Sequence, residues 1–175
     1  MRSRSPRQLD SEEALYPAAL RALMRRAHSI YEMRQALERR TRDAALVRRV
    51  LDRLKDQGLL DDARYALQFA RNHAENRRQG RYRITRELRK RGVPDRHIEA
   101  ALDAIFEETD EATLLRTRIQ RKLRGLRGPL DQRKLASLYR TLMMAGFSAD
   151  MIRRELRAVA RQDVPEYEAA EEEGS

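Results

Sequence analysis

GRYRITRELRKRGVPDRHIEAAL, residues 80–102, decides the fold, because its spacing of apolar residues recurs once before it and once after it. Apolar residues lie four apart before a Gly-Val pair at 92–93, and four and then three apart after it, as far as residue 105. This spacing puts apolar side chains on one stripe of each of two helices. The stretch therefore predicts a helix, a short turn and a second helix.

The same frame returns 51 residues earlier and 54 residues later, and five of its seven positions are apolar in all three copies. The copies are Met33, Leu37, Thr41, Arg42, Val47, Leu51 and Leu54; Ile84, Leu88, Gly92, Val93, Ile98, Leu102 and Ile105; and Leu138, Leu142, Gly146, Phe147, Ile152, Leu156 and Val159. Repeats of this length predict a row of small helical units rather than one closed core.

The turn between the paired helices has its own chemistry. Gly92 and Gly146 lie where a helix ends in a left-handed conformation, which glycine adopts without the steric cost of a Cβ. In the first copy Thr41 stands in place of the glycine and Arg42 in place of the apolar residue that follows it. Asp43 remains as an N-cap for the second helix. We expect that first turn to be looser.

A leading helix precedes each pair, so the fold predicted is all-α: three tandem three-helix, helix-turn-helix-like repeats in an elongated curved array. The leading helices are predicted over 12–27, 61–76 and 109–124, with a capping box between Asp10 and Glu13 for the first and an N-cap at Thr109 for the third. The predicted organisation is a disordered basic arm over 1–9, repeats over 10–58, 59–107 and 108–162, and a disordered acidic tail over 163–175.

Composition excludes several classes of protein. The chain has 175 residues, of which 38% are charged and none is cysteine, so disulfides and thiolate metal sites are excluded. No apolar run approaches the roughly 18 residues that a membrane span needs, and the N-terminus lacks the apolar segment of a signal peptide. We expect a cytoplasmic monomer with no membrane contact.

The residues that catalysis requires are missing from the pattern. His28, His73 and His97 are isolated, without a second ligand at the spacing that a metal needs. No glycine-rich loop for a phosphate and no nucleophile elbow is present. The sequence therefore predicts a protein that is not an enzyme and that uses no cofactor and no metal.

A net charge of +10 points to an anionic partner, either a polyanion or an acidic protein surface. Basic residues concentrate around Tyr82, where a cation beside a flat ring could contact a nucleic-acid backbone or an acidic groove. They are Arg77, Arg78, Arg81, Arg83, Arg86, Arg89, Lys90 and Arg91. Two explanations stay open, because 34 of the 38 basic residues are arginine and codon bias produces the same skew as selection for phosphate contacts.

Four segments, taken in order, resemble the RecX family of bacterial recombination regulators. They are Ser29-x-x-x-Met33-x-x-x-Leu37; GLLDDARYA at 58–66; G-R-Y-R-I-x-x-E-L-R-x-R-G-V from Gly80, followed by I-x-x-A-L from Ile98; and A-G-F-S-x-x-M-I from Ala145. The resemblance covers about residues 14–160. The departures are the first turn, the basic arm and the acidic tail.

The resemblance implies a regulator without catalysis. RecX proteins bind the RecA recombinase and lie in the helical groove of its filament on single-stranded DNA, where they inhibit ATP hydrolysis, strand exchange and coprotease activity in DNA repair and the SOS response. By this resemblance Asp61, Asp62, Arg64 and Tyr65 match the family's acidic-aromatic motif, and Arg81, Tyr82, Arg83 and Arg86 match its central basic segment. Arg77 and Arg78 complete the predicted set of RecA- or DNA-binding residues.

Two alternatives stand beside this interpretation. Asp61 and Asp62 open a helix, where negative charge stabilises the N-terminus, and that role alone explains both residues. The chain could instead be a helix-turn-helix-type DNA-binding transcriptional regulator. That function needs the same base-reading side chains on the second helix of each repeat. The second helices instead carry Arg96 and His97 in one repeat and Asp150 and Met151 at the same positions in the next.

Overall fold

The computed structural model describes residues 9–126, 128 and 130–162. Across these residues the chain is all-α, with nine helices and no strand, which confirms the predicted fold class. The helices are α1 Glu12–Arg25, α2 Ile30–Glu38, α3 Ala44–Asp56, α4 Asp62–Glu75, α5 Arg81–Lys90, α6 Asp95–Glu108, α7 Glu111–Arg124, α8 Gln132–Met144 and α9 Ala149–Gln162.

The helices pack in threes, each set around its own apolar core. The main helix-to-helix contacts fall within α1–α3, within α4–α6 and within α7–α9, which we name units 1, 2 and 3. Every apolar position of the repeated frame is buried except Val159, which is partly buried. The spacing of four and three residues therefore identifies the inward faces of the paired helices correctly.

Helix ends follow the predicted chemistry at most positions. Ser29 and Glu32 form a complete capping box at the start of α2, and Asp43 caps α3 through its bond to the Leu46 N–H, 2.9 Å. Gly92 and Gly146 have φ values of 67° and 92°, the left-handed conformation predicted for both turns.

Two predicted N-caps are wrong by one residue. Ser11, and not Asp10, caps α1 through the Ala14 N–H, and the helix continues through Pro17 because its apolar stripe packs on both sides of that residue. It ends at Arg25 rather than at residue 27. Thr109 ends α6, while the neighbouring Asp110 caps α7 with both carboxylate oxygens.

The predicted basic arm and acidic tail fall outside the described residues, apart from Leu9. Leu9 packs against the core of unit 1, and its N–H donates to the carbonyl of Arg40 at 2.8 Å. No helix in the described part of the chain has the length and apolar character required to cross a membrane.

Candidate interaction surface at the unit joints

Units 1 and 2 meet where the start of α2 packs on the turn between α5 and α6. The Ser29 hydroxyl donates to the carbonyl of Arg91 at 2.5 Å, and the Ile30 N–H donates to Asp62 Oδ1 at 2.9 Å. Gly92 lies against Tyr31 so closely that a Cβ built on the glycine would be 2.4 Å from the tyrosine Cβ. The joint therefore requires glycine for its close approach as well as for its φ.

Units 2 and 3 meet in the same way. The Gly80 N–H donates to the carbonyl of Ala145 at 2.9 Å, and the Arg81 N–H donates to Glu111 Oε1, also at 2.9 Å. A Cβ on Gly146 would lie 2.3 Å from the backbone nitrogen of Arg83. Residues 80 and 81 occupy the repeat positions of residues 29 and 30, so both joints use the same positions of the repeat, although the Gly80 N–H takes the place of the Ser29 hydroxyl.

A carboxylate from the following unit caps a helix of the preceding unit at both joints. Asp62 and Glu111 are the first residues of α4 and α7, and each accepts a hydrogen bond from the first N–H of the middle helix before it. Such an N–H has no partner within its own helix, and negative charge is favourable at that end. Burial raises the pKa of both carboxyl groups above their usual values.

The structure separates the residues of the predicted acidic-aromatic motif. Asp62 is buried in the first joint, and Tyr65 is also buried, with its hydroxyl donating to Glu32 Oε2 at 3.3 Å. Asp61 is exposed and caps α4 through the N–H groups of Ala63 and Arg64. Joint packing and capping thus account for the three acidic and aromatic side chains, while Arg64 remains exposed on the surface.

The predicted central basic segment is divided in a similar way. Arg81 pairs with Asp103 at 3.0 Å and stacks over Phe106, and Arg83 donates to the carbonyl of Met144 at 2.9 Å. Tyr82 is 68% exposed and Arg86 is exposed. The Arg81 side chain therefore packs within unit 2 and Arg83 crosses the second joint, whereas Tyr82 and Arg86 are available to a partner.

The second joint also creates a cleft that the sequence analysis did not identify. We name it the cationic cleft; its volume is about 560 Å³ and its lining includes Arg77, Arg78, Arg118, Arg121 and Lys122. Arg77 and Arg78 were predicted from the basic cluster, but the other three lie on α7, some 40 residues away along the chain. Their spacing of three and four residues puts them on one face of α7, and only the joint brings that face to Arg77.

Among the described residues no group of His, Cys, Asp and Glu side chains is arranged to hold a metal ion. His73 instead stacks on Phe69, with 3.8 Å between the ring centres, and its Nδ1 lies 2.7 Å from Gln79 Oε1. Burial lowers the pKa of His73, so the ring is neutral at neutral pH. This histidine is part of the packing of unit 2.

Comparisons with known proteins agree on one family. Residues 61–102 match the family model described as "RecX, second three-helix domain". The chain is 38% identical over 154 residues to "Regulatory protein RecX" of Halorhodospira halophila, covering 87% of this chain and 92% of that protein. It is also 38% identical over 148 residues to the protein of the same name from Pseudomonas entomophila, covering 85% and 93%.

The fold is similar to solved structures as well. The crystal structure of RecX from Lactobacillus salivarius superposes with a TM-score of 0.68 at 19% identity, covering 86% of this chain and 97% of that chain. A second crystal structure of a regulatory protein RecX gives a TM-score of 0.66 at 22% identity, covering 83% and 71%.

Proposed function

Because this chain belongs to the RecX family of regulatory proteins, we propose that it binds filaments of the RecA recombinase on single-stranded DNA and inhibits their activities. In this proposal it lowers RecA's ATP hydrolysis, strand exchange and coprotease activity without catalysing a reaction itself. It thereby restrains homologous recombination and the SOS response.

The observation that carries this proposal is that the two joints use the same positions of the repeat, with Asp62 and Glu111 in corresponding roles. A RecA filament repeats one protomer along its axis, and a row of units joined in one manner can present corresponding surfaces to successive protomers. Several weak contacts made together raise affinity without any single strong site. The net charge of +10 supports the same partner, because the filament contains DNA.

The alternative function, a transcriptional regulator that reads duplex DNA, has less support in the structure. The exposed face of α6, the second helix of the central pair, carries Asp95, Glu99, Asp103 and Glu107. These carboxylates would face the phosphates of any groove that the helix entered, which is unfavourable. A selection experiment that recovered a defined duplex site, with RecA irrelevant to binding, would favour this alternative.

We propose further that the protein acts as a cytoplasmic monomer, since both joints are completed within one chain and RecA works on DNA in the cytoplasm. Sedimentation equilibrium tests the oligomeric state directly. A mass near 20.6 kDa at micromolar concentration supports a monomer, and a mass of twice that value contradicts it.

Titration into a RecA ATPase assay on single-stranded DNA tests the function. We expect ATP hydrolysis to fall at stoichiometric or lower ratios of this protein to RecA. An unrelated basic protein of similar size and charge is the control for simple competition for DNA. Unchanged hydrolysis across a wide titration would remove the proposal.

A further inference from the structure

We propose that the acidic C-terminal segment of this chain, residues 163–175, docks on a groove between α8 and α9 and so covers the last unit of the row. We name this surface the end groove; its volume is about 710 Å³, and its lining includes Leu135, Tyr139, Arg140, Arg153, Leu156 and Arg157. The docking depends only on the charges and packing of unit 3, and not on the proposed function. An acidic partner would reach these arginines only by displacing the segment.

The end groove corresponds to a surface of unit 2 that unit 3 partly covers. In the repeated frame, residues of unit 3 lie 54 positions after their counterparts in unit 2. A groove between α5 and α6 has Glu111 and Ser148 of unit 3 in its wall, whereas the described chain has no element after α9 to cover the end groove. The two grooves share six positions: Arg81, Tyr82, Thr85, Glu99, Leu102 and Asp103 in unit 2, and Leu135, Ala136, Tyr139, Arg153, Leu156 and Arg157 in unit 3.

The lining of the end groove is more apolar than that of its counterpart. Leu135 and Tyr139 stand at the positions of Arg81 and Thr85, and both are only partly buried in the described chain. Leu156 lines the same groove. A row of repeats needs a polar outer surface at its last unit, so an apolar lining there indicates that another segment covers it.

The charge of the end groove is reversed relative to unit 2. Arg153 and Arg157 stand where unit 2 has Glu99 and Asp103. Both arginines are exposed, as is the neighbouring Arg140 of the same lining. Arg140 and Arg157 form no ion pair with any described residue. These charges favour an acidic occupant.

The C-terminal segment has the composition that this lining requires. It contains six acidic residues and no basic one, and Val164 and Tyr167 lie among the first of these acidic residues. Its carboxylates can pair with the arginines while the Tyr167 ring contacts the apolar lining. The segment also begins close by, because α9 forms one wall of the groove and ends at Gln162, a rise of about 8 Å beyond Arg157.

The opposite end of the row is covered by the chain itself. At the two joints the carbonyls of Arg91 and Ala145 accept hydrogen bonds from the preceding unit. The corresponding carbonyl of unit 1 is that of Arg40, and it accepts a hydrogen bond from the Leu9 N–H at 2.8 Å. The segment before α1 thus takes the place of a preceding unit, and the segment after α9 takes the place of a following one.

A second copy of the chain is a less suitable occupant. Head-to-tail association would bring the first turn of unit 1 onto the end groove, where Leu9 already bonds to the Arg40 carbonyl. Arg39, Arg40 and Arg42 are exposed around that turn. They would face the arginines of the end groove, and like charges repel.

The start of α8 shows what the segment does not need to supply. The helix begins at Gln132, three residues before the position that corresponds to the first residue of α5, and Asp131 caps it through the Lys134 N–H at 2.8 Å. Unlike Asp62 and Glu111 at the joints, the acidic residues of the segment are not required at a helix N-terminus. They pair with the arginines instead.

Paramagnetic relaxation in the whole chain tests this docking. The chain contains no cysteine, so Ala170→Cys gives a single position for a nitroxide label in the C-terminal segment. Linkage to α9 gives the segment a local concentration on the order of millimolar, so even a weak contact is well populated. We expect the amide signals of Leu135 and Tyr139 to lose most of their intensity and those of α1 to keep theirs. Full intensity at both groove residues overturns the inference.

Two variants of the labelled chain separate the charged and apolar contacts. Arg140→Gln with Arg157→Gln removes two groove charges, while Arg153 is kept because it pairs with Asp150 at 3.0 Å. Tyr167→Ser removes the ring without changing the charge. Each should restore most of the lost signal intensity, and circular dichroism establishes that the variants are folded.

The matched control for the charge variant is Arg121→Gln with Lys122→Gln, which removes the same charge from the cationic cleft. Signals of the end groove should stay broadened in this control. Recovery in the control but not in the groove variant would assign the segment to the cationic cleft, and equal recovery in both would show that only net charge matters. Either result overturns the inference.

A mixed sample identifies the source of the segment. Isotope-labelled chain without nitroxide is combined with nitroxide-labelled chain that carries no isotope, so that only contacts between molecules broaden the signals. We expect the signals of Leu135 and Tyr139 to be unchanged. Broadening equal to that within one chain would assign the end groove to a second copy and overturn the inference.

Discussion

At the scale of single residues, the joints depend on two carboxylates that serve a helix other than their own. Asp62 is 7% exposed and accepts the bond from Ile30, and Glu111 repeats the arrangement for Arg81. From the sequence alone, each of these acidic residues is expected to stabilise the N-terminus of its own helix, because negative charge is favourable there. The sequence does not show which helix receives the charge, since donor and acceptor lie about 30 residues apart.

Replacing Asp62 tests this role. Asp62→Ala leaves the partly buried Ile30 N–H without its acceptor, so we expect the free energy of unfolding to fall by about 1–3 kcal/mol. Asp62→Asn keeps an acceptor oxygen and should lose less. Urea unfolding of the two variants and the wild type gives both values; equal losses in the two variants would show that the hydrogen bond is unimportant.

His73 predicts a dependence of stability on pH. Burial holds its folded-state pKa below the unfolded value of about 6.5, so the unfolded chain takes up the proton first as the solution is acidified. The contribution of His73 to stability is complete above about pH 6.5 and is lost as the pH falls through that value toward the folded-state pKa.

His73→Gln isolates this effect, because the other titrating groups are present in both proteins. Between about pH 8 and pH 5 we expect the wild type to lose more stability than the variant, with parallel behaviour at the alkaline end. Thermal unfolding across that range measures it. Identical pH profiles for the two proteins would mean that burial does not perturb His73.

At the scale of helices, apolar spacing is the reliable guide and capping chemistry is less so. Leu88, Ile98 and Leu102 lie in the core where their spacing puts them. The N-caps of α1 and α7 each lie one residue after the predicted one, because two capping residues adjoin in each case, Asp10 beside Ser11 and Thr109 beside Asp110. Spacing averages over a whole helix, whereas a cap depends on the local geometry of one residue.

The glycine turns give a matched pair of variants. Gly92 and Gly58 have φ values of 67° and 65°, but a Cβ on Gly92 meets Tyr31 whereas one on Gly58 has no atom within 4 Å. Both Gly→Ala changes therefore carry the same backbone strain, about 1–2 kcal/mol. Only Gly92→Ala also crowds the joint, which adds about 1–3 kcal/mol.

We accordingly expect Gly92→Ala to be clearly less stable than Gly58→Ala in chemical denaturation. The backbone strain is the same in both variants and cancels in the comparison. The remaining difference in stability measures how closely unit 1 packs on unit 2. Equal stabilities would show that Tyr31 moves aside without cost and that the joint is not closely packed.

At the scale of the whole molecule, the sequence predicts three similar units but not the surface that their joints create. The cationic cleft combines Arg77, from the loop between α4 and α5 in unit 2, with Arg121 from unit 3. No spacing along the chain connects the two, because their proximity depends on how Gly80 packs on Gly146. Arg81 and Arg83 looked available in the sequence for the same reason, yet they make intramolecular contacts.

The acidic C-terminal segment gives a prediction at this scale. Residues 163–175 contain six acidic residues and no basic one. Their deletion should strengthen binding to DNA and to RecA filaments, most clearly at low salt, where electrostatic interactions are least screened. Fluorescence anisotropy at two salt concentrations measures the change, and equal affinity of both forms at low salt would contradict the prediction.

Co-sedimentation with RecA filaments on single-stranded DNA tests the central claim most directly, because it requires the partner and its assembled state together. RecA without DNA is the control for binding to unassembled protein. We predict that this protein pellets with the filaments to a saturating ratio and stays in solution in the control. Its retention in the supernatant while the filaments pellet, at every concentration used, would contradict the account.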